Sequence, residues 1–591
     1  MSYFLAFCKS HPGTVLTRYR SLRSEGLLCD VLLEVNGREF PAHKSLLACS
    51  SDYFRAMFKD YTKESKAAVI HLKAISAPGL QHILDFIYTS WLSLSLDTLE
   101  DTLEAASYLQ VTEAITLCSQ YIVSNLGLEN CCFFANIASK FCLPDAISAA
   151  DKYIINNIWK LLEQELGRVE LLELNFKSLL TVVQSADVCK VKEHSLLKLV
   201  ERWVKHDRSR LVNTNHLLEN IRFGLIPLEE LRKFYSQQEV PLTGTIKNLI
   251  IRSINYHTFA FKQPILQDKY STLRNQKPWI MLVGGGTASE GLVNNVLAFD
   301  VYNHRWRTTA QLPVKVQNHC ICVAGNFLYL LGGEISSSAT DGTKNMVMPV
   351  TNRVLRYDPR CDRWLEVTSM LESRAQFSCC MVENNIFAIG GRNDARCLSA
   401  SVEVYDISRD RWTKMRDLPC KMHGHASTVH NNIIYISGGK YTDQVNTSKD
   451  VYSFNMLKGQ WKIQAPMSIA RFGHQMATVK EAIFTFLGMY EPFCDIEKFD
   501  PIRNQWTRLR PLIFDRFCYG LVVVEETVLL LGGKKWQDAQ EVATPNVVGY
   551  DTENDCWEDI CKLPCPLYGL KCEVLQLTDL ANGDEKSRRR V

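Results

Sequence analysis

The sequence predicts a multidomain chain: an α+β domain first, an all-α domain second and an all-β, six-bladed propeller last. Three observations predict it. In the C-terminal half, apolar runs closed by glycines alternate with an aromatic, an Asp or Asn, five residues and a Trp, and the unit recurs six times. Residues 126–260 carry their apolar side chains at helical spacing. The first 125 residues combine one strand–turn–strand with several helix-period segments.

The repeat is read most directly from its phrases. "VAGNFLYLLGG", "MVENNIFAIGG", "VHNNIIYISGG" and "VVEETVLLLGG" end at Gly333, Gly391, Gly439 and Gly533; a degenerate "VKEAIFTFLGM" ends at Met489 and a headless "PWIMLVGGG" at Gly286. The second phrase ends at Trp306, Trp364, Trp412, Trp461, Trp506 and Trp557. The period of about fifty residues exceeds that of helical-hairpin repeats. Short runs of Val, Ile, Leu, Tyr and Phe, broken by Gly325-Asn326, Asn384-Asn385 and Asn431-Asn432, predict strands joined by tight turns. Four such strands cannot bury both faces alone, so neighbouring sheets must pack around an axis. The glycines are expected where backbones approach closely, and each Trp with its aromatic seven positions earlier supplies apolar area between blades. The first unit lacks a leading strand, while "LYGLKCEVLQL" runs on past Trp557, so residues 570–577 are expected to complete the first blade and close the ring. Over residues 278–580 the sequence resembles the Kelch family.

Residues 1–125 open with an amphipathic helix, "TVLTRYRSLRSEG", whose Val15, Leu16, Tyr19 and Leu22 at helical spacing predict a homodimer interface. "CDVLLEVNGREFPAHKSLL" predicts two strands about an Asn36-Gly37 turn, and "SSDYFRAMF", "GLQHILDFIYTSWLSL" and the segment after it predict helices. Cys29-Asp30-Val31, Ala42-His43-Lys44, Ser51-Asp52-Tyr53-Phe54 and Ala56-Met57-Phe58 resemble a BTB domain. His43 is expected to be partly buried and hydrogen-bonded, with Asp30 as its neighbour. Residues 126–260, with Asn130-Cys131, Ala138 and Cys142, resemble a BACK domain; 261–277 read as a polar linker and 581–591 as a solvated tail.

Composition narrows the function. A net charge of +3 on 591 residues gives no electrostatic case for nucleic acid, and no stretch reaches membrane-spanning length. The N-terminus lacks a signal-peptide pattern, so the expected location is the cytoplasm, with the nucleus as an alternative. The 21 cysteines read as reduced, buried hydrophobes, and the Cys561, Cys565 spacing lacks partner ligands for zinc. His319, His425 and His474 recur at one point of the repeat and read as structural positions rather than metal ligands. No metal or cofactor is expected.

Taken together, the three domains resemble the substrate adaptors of cullin-3 RING ubiquitin ligases. The resemblance implies no catalysis in this chain, a cullin held by the BTB and BACK portions, and a target protein held by the propeller. The family's hydrophobic-x-Glu cullin motif falls on Thr62-Lys63-Glu64, with Asn130 and Cys131 at the start of the BACK contact. Threonine for an apolar anchor weakens such a contact by about 1–3 kcal/mol, with Tyr61 as a neighbouring substitute. Arg374, Arg471 and Arg516, with His423 in the same region of another blade, are the expected target contacts, suited to an acidic or phosphorylated peptide. Alternatively, the arginines cap strand ends or pair with blade carboxylates. The 335–350 insert is a further candidate target loop. The alternative function is a non-ligase dimeric scaffold that binds cytoskeletal or other proteins.

Overall fold

The computed structural model describes residues 9–59, 62–237, 241–336, 348–393, 397–441, 447–488, 494–538 and 540–578. They fall into two compact units: one runs to Ile221 and includes 241–246, and the other joins Arg222–Gln237 to the chain from Lys247 onward.

In the first unit, Val31–Val35 and Arg38–Ala42 pair antiparallel about Asn36 and Gly37, both at positive φ, as the two-residue turn requires. Val69–His71 adds to Val31–Val35 in parallel. Val31, Leu33 and Val35 point inward by strand alternation and meet Leu80, Ile83, Leu84 and Ile87 of the helix Ala77–Thr89. His43 is buried and bonds the Tyr88 hydroxyl at 2.8 Å and the Leu27 carbonyl at 3.2 Å. The expected Asp30 neighbour is not its partner: Asp30 accepts the Lys44 amide at 2.7 Å, satisfying an orphan N–H at the start of the helix Lys44–Ser50. Helices follow from Leu96 to Leu218. In Glu193–His206, Leu196, Val200 and Trp203 form the buried stripe, and the Trp203 indole donates to the Leu174 carbonyl at 2.8 Å.

Among the described residues the second unit contains six four-stranded antiparallel sheets. Numbered by the repeat and ordered from the axis outward, blade 2 is Cys320–Ala324, Phe327–Leu331, Val354–Asp358 and Arg363–Val367, and blades 3 to 6 repeat this order. Blade 1 takes its inner strand from the far end of the chain: Lys571–Leu577 pairs antiparallel with Lys277–Val283. Each inner strand touches the next, from Lys571–Leu577 round to Gly520–Val524 and back, so the circle is closed. Next to the inner strands, Asn318, Gln376, Gly424, Gly473, Cys518 and Gly569 occupy equivalent places, all at positive φ. The amides of Gln376, Gly424 and Gly473 donate to the carbonyls of Asn318, Gln376 and Gly424, and that of Gly569 to Cys518, at 2.7–3.0 Å, which stitches the blades around the axis.

The repeated residues each meet a local need. The Asp or Asn after the aromatic accepts backbone amides across the turn to the outer strand, as Asp300 does from Tyr302 and Asn303 and Asp551 from Glu553 and Asn554. Each Trp lies 4.3–5.2 Å, centre to centre, from its blade's aromatic, and the indoles of Trp364, Trp412, Trp461, Trp506 and Trp557 donate to carbonyls of the preceding unit. Gly438 and Gly439 have φ of 61° and 93°; a Cβ on the first would stand 2.7 Å from the His474 ring of the next blade, and on the second 3.0 Å from His425 of its own. The glycines and the recurring histidines are two halves of one packing contact.

Residues 261–277, expected to be a free polar linker, are instead seated on blade 2. Gln263, Ser271 and Arg274 are buried, and the Gln263 side-chain oxygen accepts from Arg356 and Arg360, each at 3.0 Å. The polar side chains of this segment are therefore spent on the blade.

Candidate functional site

The propeller unit has two faces. On one lie the turns joining the inner strand to the second and the third to the outermost, and there the chain's own 256–274 segment docks. The Arg356 guanidinium donates to the Ala260 carbonyl at 2.6 Å and lies over Phe327, Arg360 lies over Tyr256, and Gln267 donates to the Gly325 carbonyl. The opposite face carries the connections from the second strand to the third and from each outer strand to the next blade. That face is the candidate target surface of this unit.

For Arg374 and Arg471 the structure overturns the target contact and shows the alternative, pairing with blade carboxylates. Arg374 and Arg471 are fully buried inside their blades. Arg374 donates to Glu403 at 2.7 Å and to the carbonyls of Gly390 and Ser401; Arg471 donates to Glu497 at 2.9 Å and to the carbonyls of Leu487 and Asp495. Both carboxylates are themselves fully buried, so neither guanidinium has a face left for an acidic peptide. Arg516 is 6% exposed, and burial pushes its guanidinium down to about 10. His423 is buried, with its ring 2.9 Å from the Gln376 side-chain oxygen and edge-on to Phe472. Gln376 also accepts from Arg392, which pairs with Glu334, and Glu334 accepts from Gln317 and Asn318 at 2.9 and 2.8 Å. His423 therefore belongs to a polar belt near the axis. Residues 337–347 of the expected target loop lie outside the described residues.

The histidines at the recurring point of the repeat, His319, His425 and His474, are buried. Burial pushes the first two down to about 3 and His474 well below the usual range. They are neutral packing groups against the neighbouring blade's glycines. Among the described residues no group of three His, Cys, Asp or Glu side chains forms a metal-ligand set.

In the first unit, Lys63 and Glu64 are exposed on the 62–68 loop, while Thr62 is half-buried. The Thr62 hydroxyl lies 2.8 Å from the Lys59 carbonyl, also bonds Met57, and accepts the Ser65 amide at 3.2 Å. It holds the turn rather than projecting as an anchor. Tyr61 lies outside the described residues. Asn130 precedes the helix Cys131–Lys140 and accepts the Gly127 amide at 2.7 Å while donating to the Asn125 carbonyl. Cys131 is wholly buried, which removes its side chain from any direct surface contact. On the helix His11–Ser24 no residue is fully buried; Val15 is exposed, Leu16 and Leu22 are half-buried, and Tyr19 lays its ring edge-on to His43.

Two features escaped the sequence reading. Glu403 and Glu497 are the partners of the arginines, and aligning the third strands on their aromatic-Asp step puts both two residues before the aromatic. On the open face, Ile513, Phe514 and Trp536 of blade 6 are exposed to 81%, 67% and 50%. A six-residue window with three large apolar side chains between two polar turns was the available signal for the first two.

Residues 19–126 match the family described as BTB/POZ domain, residues 131–236 match BTB And C-terminal Kelch, and residues 318–533 and 376–576 match the KLHDC2/KLHL20/DRC7 Kelch-repeats domain. The chain is similar to Kelch-like protein 34 of Homo sapiens, 48% identical across 100% of this chain and 99% of that protein. It is also similar to Kelch-like protein 36 of Bos taurus, 30% identical across 96% and 92%, and to Kelch-like protein 15 of Homo sapiens, 30% identical across 82% and 81%.

Proposed function

This chain belongs to the Kelch-like family of BTB, BACK and Kelch proteins, and on that premise we propose that it is a non-catalytic substrate adaptor of a cullin-3 RING ubiquitin ligase. The observation that carries the proposal is the pairing, in one chain, of an exposed Lys63-Glu64 loop on the BTB fold with a propeller face on which Ile513, Phe514 and Trp536 are exposed. The BTB loop and the start of the BACK helices, at Asn130, meet the cullin. The propeller's open face holds the target, and the ligase acts on it through raised effective concentration. The protein acts as a homodimer through Val15, Leu16, Tyr19 and Leu22 of the first helix, in the cytoplasm or nucleus. The test is binding of purified cullin-3 to the full chain and to Glu64→Lys. Binding by the wild type and its loss in the variant support the adaptor.

The inward-turned Thr62 favours a second reading, a dimeric scaffold that binds cytoskeletal or other proteins without a cullin. If the folded dimer does not bind cullin-3, the scaffold replaces the adaptor.

A further inference from the structure

The six blades offer an internal control on one buried position. The residue that opens each inner-strand approach faces the residue two before the aromatic of the third strand. In blades 3 and 5 the two are an ion pair, Arg374 with Glu403 and Arg471 with Glu497. In blades 1, 2 and 4 both are apolar and share a core cluster: Leu567 with Leu297, Val316 with Leu355, Met422 with Tyr452. Blade 6 alone mixes the types, with Arg516 facing Val548.

The mismatch leaves blade 6 without the carboxylate that blades 3 and 5 place at this position. Arg516 shares one carbonyl of its equivalents' seat, that of Asn546 at 3.3 Å, and its other contact is the Leu530 carbonyl at 3.2 Å, two residues short of the counterpart of Gly390 and Leu487; it forms no ion pair among the described residues. Asp559, across the strand from Val548, is exposed and acts on it only at a distance. In blade 3 the Glu403 carboxylate also accepts the amides of Leu371 and Glu372, at 2.6 and 3.0 Å, and in blade 5 Glu497 accepts that of Ser468, at 2.9 Å. The equivalent amide in blade 6 is that of Ile513, in the loop that exposes Ile513 and Phe514. Trp536 stands beside this loop: its amide donates to Asp515 at 2.8 Å and its ring lies 6.1 Å from Phe517. A guanidinium lacking its carboxylate thus adjoins exposed aromatic surface, the composition of an interaction hot spot.

We propose that blade 6 is a receptor for an acidic side chain: Arg516 and the amides of the 513–514 turn take an aspartate or glutamate of a target protein, and Ile513, Phe514 and Trp536 take the large apolar side chain beside it. The inference rests on the open face being the target face. A carboxylate is the group that fills the matching seat in blades 3 and 5, and there it is a glutamate. The target supplies from outside the charge that the chain supplies to its other two arginines.

The chain's own repeats provide the variants. Val548→Glu rebuilds the pair of blades 3 and 5, and Arg516→Met the apolar pair of blade 4. The probes are extended peptides, acetylated and amidated at their ends, that place one Glu beside Leu or Phe; companion arms carry Gln, phosphoserine or a free terminal carboxylate in its place. The full-length protein is expected to bind the Glu arm about tenfold or more tightly than the Gln arm. Both variants lose that preference, and Val548→Glu melts at a higher temperature than the wild type. Undiminished Glu binding by Val548→Glu, no Glu over Gln preference in the wild type, or a stronger response to phosphoserine or the free terminus overturns the assignment. Cullin-3 binding by the same samples reports separately on the ligase reading, since Glu64 lies in the other unit.

Discussion

The propeller closes its own ring of strands, whereas the first helix of the N-terminal unit leaves its apolar side chains incompletely covered. In the ring every inner strand has a neighbour on either side and the far end of the chain returns to fill blade 1. The helix His11–Ser24 buries no residue completely, and its apolar side chains stand half in water. A closed ring confers stability without a partner; the half-covered helix is where the proposed second copy would pack. The same change should therefore act on folding in one region and on assembly in the other.

The largest effect is expected on removing residues after Pro566. The deletion takes Leu570, Cys572, Leu575 and Leu577 out of the core and opens two strand edges. At about 1.5–3 kcal/mol for each large apolar side chain, the loss approaches the whole stability of a domain. Thermal unfolding should lose its cooperative transition and the protein should aggregate; an unchanged melting curve means the ring closes another way. Next in size is Glu497→Ala, which leaves Arg471 charged and buried and should cost about 3–5 kcal/mol in denaturant titration.

The buried histidines set the acid limit of the propeller. Their folded values, about 3 for His319 and His425, lie below the ordinary unfolded value near 6.5, so the unfolded chain binds the protons. Their contribution is complete above about pH 6.5 and is lost as the pH falls toward 3, at up to about 1.4 kcal/mol per unit for each ring. His425→Phe, which copies Phe377 at the same place in blade 3, should flatten the fall of melting temperature with acid. The smallest effect on folding is expected from Val15→Asp on the first helix, within about 0.5 kcal/mol. Light scattering should nevertheless show the proposed dimer dissociating; an unaltered oligomer excludes this helix as the interface.

Blade number, ring closure and the Asn36-Gly37 turn were legible because each is written in residues whose local geometry admits few substitutes: a glycine under a neighbour's ring, an Asp closing a turn, a Trp between sheets. The arginines show where that legibility ends. Arg374 announces a charge, but whether it meets solvent depends on Glu403, set on another strand and brought opposite only by the fold. The 261–277 segment misled for the same reason, since polar side chains read as solvated until their acceptors on blade 2 are known. Asp30 and His43 sit on the expected stretch yet serve different partners, the Lys44 amide for one and the Tyr88 hydroxyl for the other, which only the fold brings within reach.

The return of the C-terminal strand to blade 1 gives the propeller a direction in time. Lys277–Val283 leaves the ribosome early, and its partner Lys571–Leu577 leaves only after all the other blades have been made. Until then its edge is bare and the inner wall has a gap, a long-range pairing of the kind that slows folding most. A chain cut short by premature termination carries that bare edge permanently and lacks the strand that closes the ring.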